Sequence, residues 1–380
     1  MITAILLVAQ TLSAPQLSLR VTVHNDLPIA RRSETVEVSA AQLGDLDRVH
    51  VFQDGRELVA QTVEDKLVFQ ADFPPRGTIT FDLRAGEKRV YRKEDFRVYG
   101  RFVRERFDDF AWENDRVAHR MYGAALETWQ KEPLTSSAVD VWLKRTRRLI
   151  VNDWYMVDDY HRDHGEGADF YSAGKSRGCG GSGLWQDGKL VVSRNFRESK
   201  VLAAGPVRLV FELRYPDFET KRVTLDAGQN FNRFESRYDA ATRHPEPAKH
   251  GEGSQDAPPR SFAVCAAQDD GGGCYAAGIK KNAAGSLRVE REGGWIRTWE
   301  PVANGAGQFG CALLFDPAKI VDVTEAEGNH LVVARGPASY WVGSGWDQSG
   351  DFAGVEGWDR AVAEWAQRVR SPLRVEVGTR

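Results

Sequence analysis

Between residues 16 and 98 the sequence alternates apolar and polar residues with a period of two. Because successive side chains of a β-strand point to opposite faces of a sheet, this alternation predicts half-buried strands. Turn signals recur at Asp54-Gly55, at residues 74–77 and at Ala85-Gly86, a spacing typical of a small β-sandwich. We therefore predict a compact amino-terminal β-sandwich domain over residues 16–98. The apolar positions of the pattern include Leu17, Leu19, Val21, Val23, Val36, Val38, Val49 and Val51.

Residues 99–380 are predicted to form a second all-β domain with few helices. Its strand candidates are longer and richer in aromatic residues and arginine, which favours large stacked antiparallel sheets. One helix is predicted over residues 357–370, where Trp358, Val362, Trp365 and Val369 recur at helical spacing. Its tryptophans are interpreted as core residues. The strand candidates are residues 103–110, 190–193, 207–215, 222–225, 231–238, 262–266 and 331–334.

The amino end resembles a secretory signal. An uncharged apolar run from Ile2 to Val8 is followed by the small residues Ser13 and Ala14, although no Lys or Arg precedes it, and a buried first strand is the alternative. We predict a signal peptide over residues 1–15 and a periplasmic or secreted location. No run is long enough for a membrane-spanning helix, so no membrane partner is expected.

Charge and composition narrow the class of partner. The net charge is −3, with acidic and basic residues mixed throughout, so no face is basic enough for nucleic acid to be expected as a partner. The chain has eleven tryptophans, and the flat apolar faces of some of them can hold sugar rings. The sequence makes no prediction of oligomeric state.

The four cysteines include no CxxC pair. Cys265 and Cys274 flank the turn-rich residues 268–273, so they could face each other across a hairpin and form a disulfide. Two free buried thiols are the alternative. A disulfide at this place would agree with export.

Residues 152–185 read NDWYMVDDYHRDHGEGADFYSAGKSRGCGGSGLW and combine titratable, aromatic and glycine residues at high density. Burying so many polar groups costs free energy unless each is paired, so a stable sheet does not explain them. We interpret the segment as a tightly folded loop in which Tyr160, His161 or His164 moves a proton while Lys175 and Arg177 hold an anion. The polar residues 239–260 are predicted to form a surface loop that borders this site.

Two alternatives stay open for this segment. One is a solvated loop without function, since charged loops commonly lie at the surface. The other is a divalent-metal site, although the spacing fits no established metal motif and a turn would be needed. The candidate metal ligands are His161, Asp163, His164 and Glu166. No cofactor other than such a metal is expected.

Residues 105–122, ERFDDFAWENDRVAHRMY, form a second candidate segment. If the segment is one strand, Asn114 and Arg116 lie on one face and Glu113 and His119 on the other. Polar rows on both faces are unusual for a buried strand, which favours the floor of a groove or a wet edge. Arg116 is the preferred carboxylate ligand because a planar guanidinium offers two parallel hydrogen bonds. An ion pair with Asp115 or Glu113 is the alternative.

The two segments together give the full set of candidate site residues. Proton transfer is assigned to His161, His164, Tyr160, Tyr122 and His119. Substrate binding is assigned to Arg116, Lys175, Arg177, Trp112, Asn114, Trp154 and Trp185.

The sequence of these segments resembles that of bacterial domain-of-unknown-function family 4861, whose members are exported proteins of polysaccharide-utilisation systems. The matching text includes HNDLPIARRSETVEV, WENDRVAHRMYG, ALETWQKEPLTSS, VDVW, SRNF and TLDAGQNFNRFESRY, together with residues 152–185. The resemblance implies a β-supersandwich similar to the galactose-mutarotase and polysaccharide-lyase folds. It also implies a neighbourhood of enzymes that process uronic-acid oligosaccharides, an oligosaccharide dehydratase among them.

The combined hypothesis is an enzyme, a carbon–oxygen lyase, that acts on an acidic oligosaccharide by β-elimination. A base removes the hydrogen at C5 of a uronate, and cations or a protonated acid must neutralise the neighbouring carboxylate. A Tyr acting as both base and acid is also possible. The alternatives are a non-catalytic carbohydrate-binding protein, a glycoside hydrolase with two carboxylates, or an epimerase.

Overall fold

The structure, a computed structural model, describes residues 18–130, 134, 137–157, 159–238 and 273–379. β-Strands dominate it, and the described residues contain two α-helices, Val151–Val157 and Gly354–Arg370. The prediction of an all-β fold is confirmed. Neither helix is long and apolar enough to cross a bilayer.

Two compact units divide the chain, one of which is formed by residues up to Asp26, by Ala30–Val90 and by residues from Leu373. The predicted boundary at residue 98 lies eight residues beyond Val90, and the prediction did not include the strand Arg374–Thr379 in this unit. This smaller unit holds an antiparallel five-stranded sheet and a three-stranded sheet. In spatial order the strands of the larger sheet are Arg374–Thr379, Ser18–His24, Thr78–Ala85, Val49–Gln53 and Arg56–Leu58. Those of the smaller sheet are Arg31–Ser39, Lys66–Phe73 and Ala60–Val63.

The alternation in the sequence explains the core of this unit. One side of each strand is apolar, and the two apolar faces pack on each other around Phe69 and Phe81, whose ring centroids lie 4.8 Å apart. The opposite side chains are polar or partly exposed. Period-two patterning therefore fixes which face of each strand is buried.

The larger unit, Leu27–Ile29 with Tyr91–Pro372, contains three antiparallel sheets. The eight-stranded sheet runs Glu198–Ala204, Arg208–Arg214, Glu219–Asp226, Phe231–Tyr238, Ala338–Trp346, Gln308–Leu314, Trp295–Pro301 and Ser286–Glu290. One five-stranded sheet runs Gly167–Ala168, Val139–Lys144, Ala118–Met121, Asp109–Asn114 and Val98–Val103. The other runs Lys189–Val191, Cys179–Gln186, Cys274–Lys280, Asn329–Arg335 and Ile320–Ala326.

One hydrophobic core lies between the eight-stranded sheet and both five-stranded sheets. The predicted helix is confirmed, and it begins at Gly354, three residues earlier than expected. It covers the other face of the eight-stranded sheet, where Trp358 is fully buried and Trp365 stacks on Phe231 at 4.9 Å. Trp358 is a core residue, as interpreted from the sequence, and Trp365 is partly buried against the same hydrophobic cluster.

Most strand candidates coincide with strands, but the one at residues 103–110 is wrong. Val98–Val103 ends there, and a turn with Phe107 and Asp108 at positive φ leads into Asp109–Asn114. The single strand considered for residues 105–122 is wrong as well, because Asp109–Asn114 and Ala118–Met121 form a hairpin. The Asn114 side chain closes the hairpin by accepting hydrogen bonds from the amides of Arg116 and Val117.

A disulfide joins two layers of this unit. Cys179, in a five-stranded sheet, is bonded to Cys311 in the eight-stranded sheet, with their Cα atoms 5.6 Å apart. No local spacing in the sequence indicates this pair. Of the predicted pair Cys265 and Cys274, Cys265 lies outside the described residues. The predicted signal peptide, the loop at 239–260 and the strand at 262–266 also lie outside them.

Candidate functional site

A cavity of about 380 Å³ opens on the outer face of the first five-stranded sheet. This volume falls within the range of about 300–1,000 Å³ that small-molecule sites occupy. We call it the Arg120 cavity. Its lining includes Arg106, Asp109, Arg120, Tyr122, Asp140, Tyr160, His161, Asp169 and Tyr171.

The register of the sheet decides which side chains reach the cavity. His119 lies opposite Trp112, and these two side chains face the hydrophobic core. Their neighbour Arg120 therefore points to the outer face, directly beside its cross-strand partner Asp140. The outer face is covered by the helix Val151–Val157 and by the segment that follows it.

Arg120 holds three carboxylates together. Its Nε donates to Asp140 Oδ2 at 2.7 Å and its Nη2 donates to Asp169 Oδ2 at 2.9 Å, while Nη1 lies 3.8 Å from Asp109 Oδ2. The three carboxylates are at most 4% exposed. Nη1 also lies 3.4 Å from the hydroxyl of Tyr160. The floor of the cavity is thus a buried cluster with more acidic than basic groups.

Burial and mutual repulsion change how these acids ionise. Burial raises the pKa of Asp109 to about 7, despite the opposing charge of Arg120. Burial, reinforced by the charge of Asp140, raises the pKa of Asp169 well above its usual range. Burial likewise raises the pKa of Tyr122, so its hydroxyl stays protonated. The cluster can therefore hold a proton at neutral pH, a property of acid/base sites.

The wall of the cavity combines a cation, a hydroxyl and an imidazole. The Arg106 guanidinium lies 4.6 Å from the centroid of the Tyr160 ring, and the His161 ring lies 4.4 Å from it. His161 Nδ1 is 3.0 Å from the carbonyl oxygen of Asp169. If Nδ1 carries the proton, Nε2 is left as an acceptor, and the side chain as a whole is 66% exposed.

Of the predicted proton-transfer residues, the cavity brings together Tyr122, Tyr160 and His161. His119 is buried in the core instead, where burial lowers its pKa to about 3 and its Nε2 lies 3.3 Å from Ser344 Oγ. His164 is exposed and lies 3.0 Å from Asp159. These two histidines do not line the cavity, so we withdraw them as candidate catalysts.

None of the three predicted cationic ligands lines the Arg120 cavity. Arg116 forms an ion pair with Asp351, which also binds Arg147. Arg177 is buried and donates to Ser137 Oγ and to the carbonyl oxygen of Lys175. The Lys175 residue itself is exposed. The cations that line the cavity are Arg106 and Arg120.

The remaining predicted ligands serve the fold. Trp112 is fully buried and donates to Asn232, Asn114 closes the hairpin, and Trp154 stacks on Trp142 at 5.6 Å. Trp185 is partly buried against the second five-stranded sheet. Neither Trp154 nor Trp185 lines the cavity.

The alternative metal site is not formed. Asp163 pairs with Arg145 and caps the amides of two glycines, and Glu166 pairs with Arg148. Within the described ranges, no group of three or more His, Cys, Asp and Glu side chains is placed to hold a metal ion. These carboxylates instead stabilise the loop that positions Tyr160 and His161.

Sequence reasoning missed Arg106, Asp109, Arg120 and Asp140 as site residues and left Asp169 unassigned. A signal for Asp140 was present, because it stands between valines in an apolar strand, where a charged residue needs a partner. The partner could not be read from the sequence, since Arg120 meets Asp140 only through the strand register.

Comparison with known proteins gives a family and one full-length relative. The profile of the family described as "Domain of unknown function (DUF4861)" matches residues 23–249 and 260–375. An "uncharacterized protein P7" of Formosa agariphila is 29% identical over 398 residues, covering 94% of this chain and 93% of that protein.

Two solved structures align with the chain at a TM-score of 0.48. One is a protein in the glycosyl hydrolase family 38 from Enterococcus faecalis, at 9% identity, and the other is an alpha-mannosidase from Enterococcus faecalis V583, at 8% identity. The alignments cover 96% of this chain and 48% and 46% of those proteins. The chain therefore spans about half their length.

Proposed function

The chain belongs to the family described as a domain of unknown function (DUF4861), and from that membership we propose that it is a carbohydrate-active enzyme of polysaccharide degradation. The proposed reaction is β-elimination on uronic-acid-containing oligosaccharides, as a dehydratase or a lyase. The sequence resemblance supports the substrate class. The observation that carries the reaction is the packing of Arg106 and His161 on the ring of Tyr160.

The reaction sets three chemical requirements. A base removes the hydrogen at C5, a C4=C5 double bond forms, and the C4–O bond breaks with its electron pair going to oxygen. The leaving oxygen takes up a proton, so water or an alcohol departs. Negative charge grows on the uronate carboxylate while the hydrogen is removed, and it must be stabilised by positive charge or by a proton donor.

The Arg120 cavity supplies a group for each requirement. We assign the base to His161 Nε2, because Nδ1 faces the carbonyl oxygen of Asp169. Arg106 is partly exposed in the lining and suits a carboxylate, with the protonated acid of the buried cluster as a second stabilising group. The hydroxyls of Tyr160 and Tyr122 are the proton donors for the leaving oxygen.

Glycoside hydrolysis is the second candidate, and one observation favours it. Asp140 and Asp169 lie on the same guanidinium, and the pKa of Asp169 is raised by burial. Two carboxyl groups, one of them kept protonated by its surroundings, are the pair that glycosidases use. The exposed imidazole of His161 has no role in that reaction, which is why elimination is preferred.

Export to the periplasm or beyond is also proposed. The Cys179–Cys311 disulfide supports it, because disulfides persist in oxidising compartments. The substrate is the partner we propose, and the proposed mechanism uses no cofactor.

The decisive experiment mixes the purified protein with saturated and unsaturated uronate oligosaccharides and follows ultraviolet absorbance and product mass. A new conjugated enoate, with loss of water or with chain cleavage, is expected. Gain of one water at a glycosidic bond without new absorbance would move the assignment to hydrolysis. Binding without any product would indicate a carbohydrate-binding protein.

Two substitutions test the assigned roles. His161→Gln should lower kcat by about 10²–10⁴-fold, the range for loss of a general base, whereas the exposed His164→Gln should leave it unchanged. Arg106→Gln should raise KM and lower kcat, and Arg104→Gln, an exposed arginine outside the cavity lining, is its control. If both His161→Gln and His164→Gln kept the activity of the unsubstituted protein, the assignment of the active site to the Arg120 cavity would be wrong.

A further inference from the structure

A second cavity shares a wall with the Arg120 cavity. It has a volume of about 290 Å³, and the consecutive residues 170–172 line both cavities. We call it the Glu300 cavity. Its volume lies at the lower end of the range for small-molecule sites, which limits it to a ligand the size of about one sugar ring.

The lining of the Glu300 cavity is close to electrically balanced. It contains one cation, Lys280, and one carboxylate, Glu300, which is 7% exposed. Glu300 is hydrogen-bonded to Asn282, and burial raises its pKa. Lys280 donates to the carbonyl oxygen of Ser172. The lining of the Arg120 cavity contains three carboxylates and two guanidinium groups, those of Arg106 and Arg120.

The same lining combines polar atoms with aromatic faces. The rings of Tyr171 and Phe309 lie 5.2 Å apart at an angle of 53°. A sugar ring presents hydroxyls around its edge and an apolar face of C–H groups, so it can bond to Asn282 and Glu300 while packing on these rings.

Tyr171 connects the two cavities chemically. Its hydroxyl is buried and has no hydrogen-bond partner among the described residues, and the charges of Glu300 and Asp140 both act on it. Buried hydroxyls are nearly always hydrogen-bonded in folded proteins. A ligand hydroxyl between the cavities would supply the missing partner.

We propose that the Glu300 cavity is a subsite for a neutral sugar residue joined to the uronate that occupies the Arg120 cavity. This inference rests on the proposed function and extends it, because it makes the substrate at least a disaccharide. The one cation in this lining, Lys280, already donates to the carbonyl oxygen of Ser172 and interacts with Glu300, so the cavity favours a neutral sugar over a second uronate.

The test compares two probes by isothermal titration. One is a disaccharide with a uronate at its non-reducing end and a neutral hexose next to it, and the other is the methyl glycoside of the same uronate. Titration uses the His161→Gln background, so that turnover does not consume the probe. The disaccharide should bind at least about 10-fold more tightly, which corresponds to about 1.4 kcal/mol.

Asn282→Ala and Glu300→Ala should each remove most of this 10-fold gain while changing the affinity for the methyl glycoside less than about 2-fold. Glu292→Gln, an exposed residue outside both cavities, is the control. A gain that survives in both variants overturns the subsite.

If neither uronate probe binds, the proposed function fails, and a neutral hexose disaccharide then decides the subsite. If this disaccharide binds to the unsubstituted chain and its binding is lost in Asn282→Ala, the subsite is supported. If it does not bind to the unsubstituted chain, the subsite proposal is overturned.

Discussion

Among the buried charge clusters of the larger unit, two differ in access and in balance. The enclosed cluster comprises Ser182, Glu219, Lys221, Ser236 and Tyr238. Lys221 Nζ lies 3.3 Å from Glu219 Oε1, both side chains are 0% exposed, and neither cavity described above is lined by them. The Arg120 cluster lies against a cavity and carries three carboxylates for one guanidinium.

The difference shows that buried charge alone does not mark a functional site. In the enclosed cluster Lys221 pairs with Glu219, the charge of the buried Arg177 also acts on both, and the hydroxyls of Ser236 and Ser182 lie 2.6 and 3.4 Å from the same carboxylate oxygen. Such a pair serves the fold. Three carboxylates around one guanidinium beside a cavity are instead an arrangement expected where a proton must move.

The largest effect on stability is expected from Lys221→Met, which tests whether the enclosed cluster serves the fold. The substitution leaves Glu219 buried without its cation, which should lower the free energy of unfolding by about 3–5 kcal/mol. Urea denaturation measures it. The double variant Glu219→Gln/Lys221→Met should recover at least half of the loss, because no lone charge remains. A loss below about 1 kcal/mol would mean that the pair is not structural.

Asp109→Asn tests whether removing a charge from the Arg120 cluster stabilises the protein at neutral pH, the opposite of the effect expected for Lys221→Met. The pKa of Asp109 is raised from 3.8 to about 7, so the folded state holds a proton that the unfolded state has released. The wild type is therefore most stable, relative to Asp109→Asn, below pH 3.8, and it loses stability as pH rises to about 7.

This loss should be at most about 1.4 kcal/mol per pH unit. At pH 7 the Asp109→Asn variant should be the more stable protein and the poorer catalyst, a trade-off typical of active sites. Urea unfolding of both proteins from pH 4 to 8 measures the difference. A difference that does not change with pH would contradict the raised pKa.

The smallest expected change in stability comes from His161→Gln. The side chain is largely exposed, so the free energy of unfolding should change by less than about 0.5 kcal/mol, although turnover falls. Thermal and urea unfolding beside His164→Gln provide the measurement. A destabilisation above 1 kcal/mol would show that His161 acts through the fold.

The architecture was predictable where local pattern determines structure. The strand Phe231–Tyr238 has the predicted bounds, and the helix is one turn longer than its apolar repeat indicates. The hairpin at 109–121 was not predicted, because the turn is made by one side chain, Asn114, whose hydrogen bonds leave no periodic trace.

The site was predictable in part for the same reason. Tyr160 and His161 stand in a segment whose density of polar residues is visible in the sequence. Asp109, Asp140 and Asp169 are scattered over 61 positions and meet at Arg120 only through strand register. The Cys179–Cys311 bond, with a sequence separation of 132, depends in the same way on which sheets face each other.

The pairing of Ser18–His24 with Arg374–Thr379 has a consequence for biogenesis. During synthesis the first of these strands leaves the ribosome some 350 residues before the second, so its hydrogen-bonding edge stays open on the nascent polypeptide for most of translation. Open edges recruit other strands and promote aggregation. The five-stranded sheet of the smaller unit can therefore be completed only once residues 374–379 have been made, after every described strand of the larger unit.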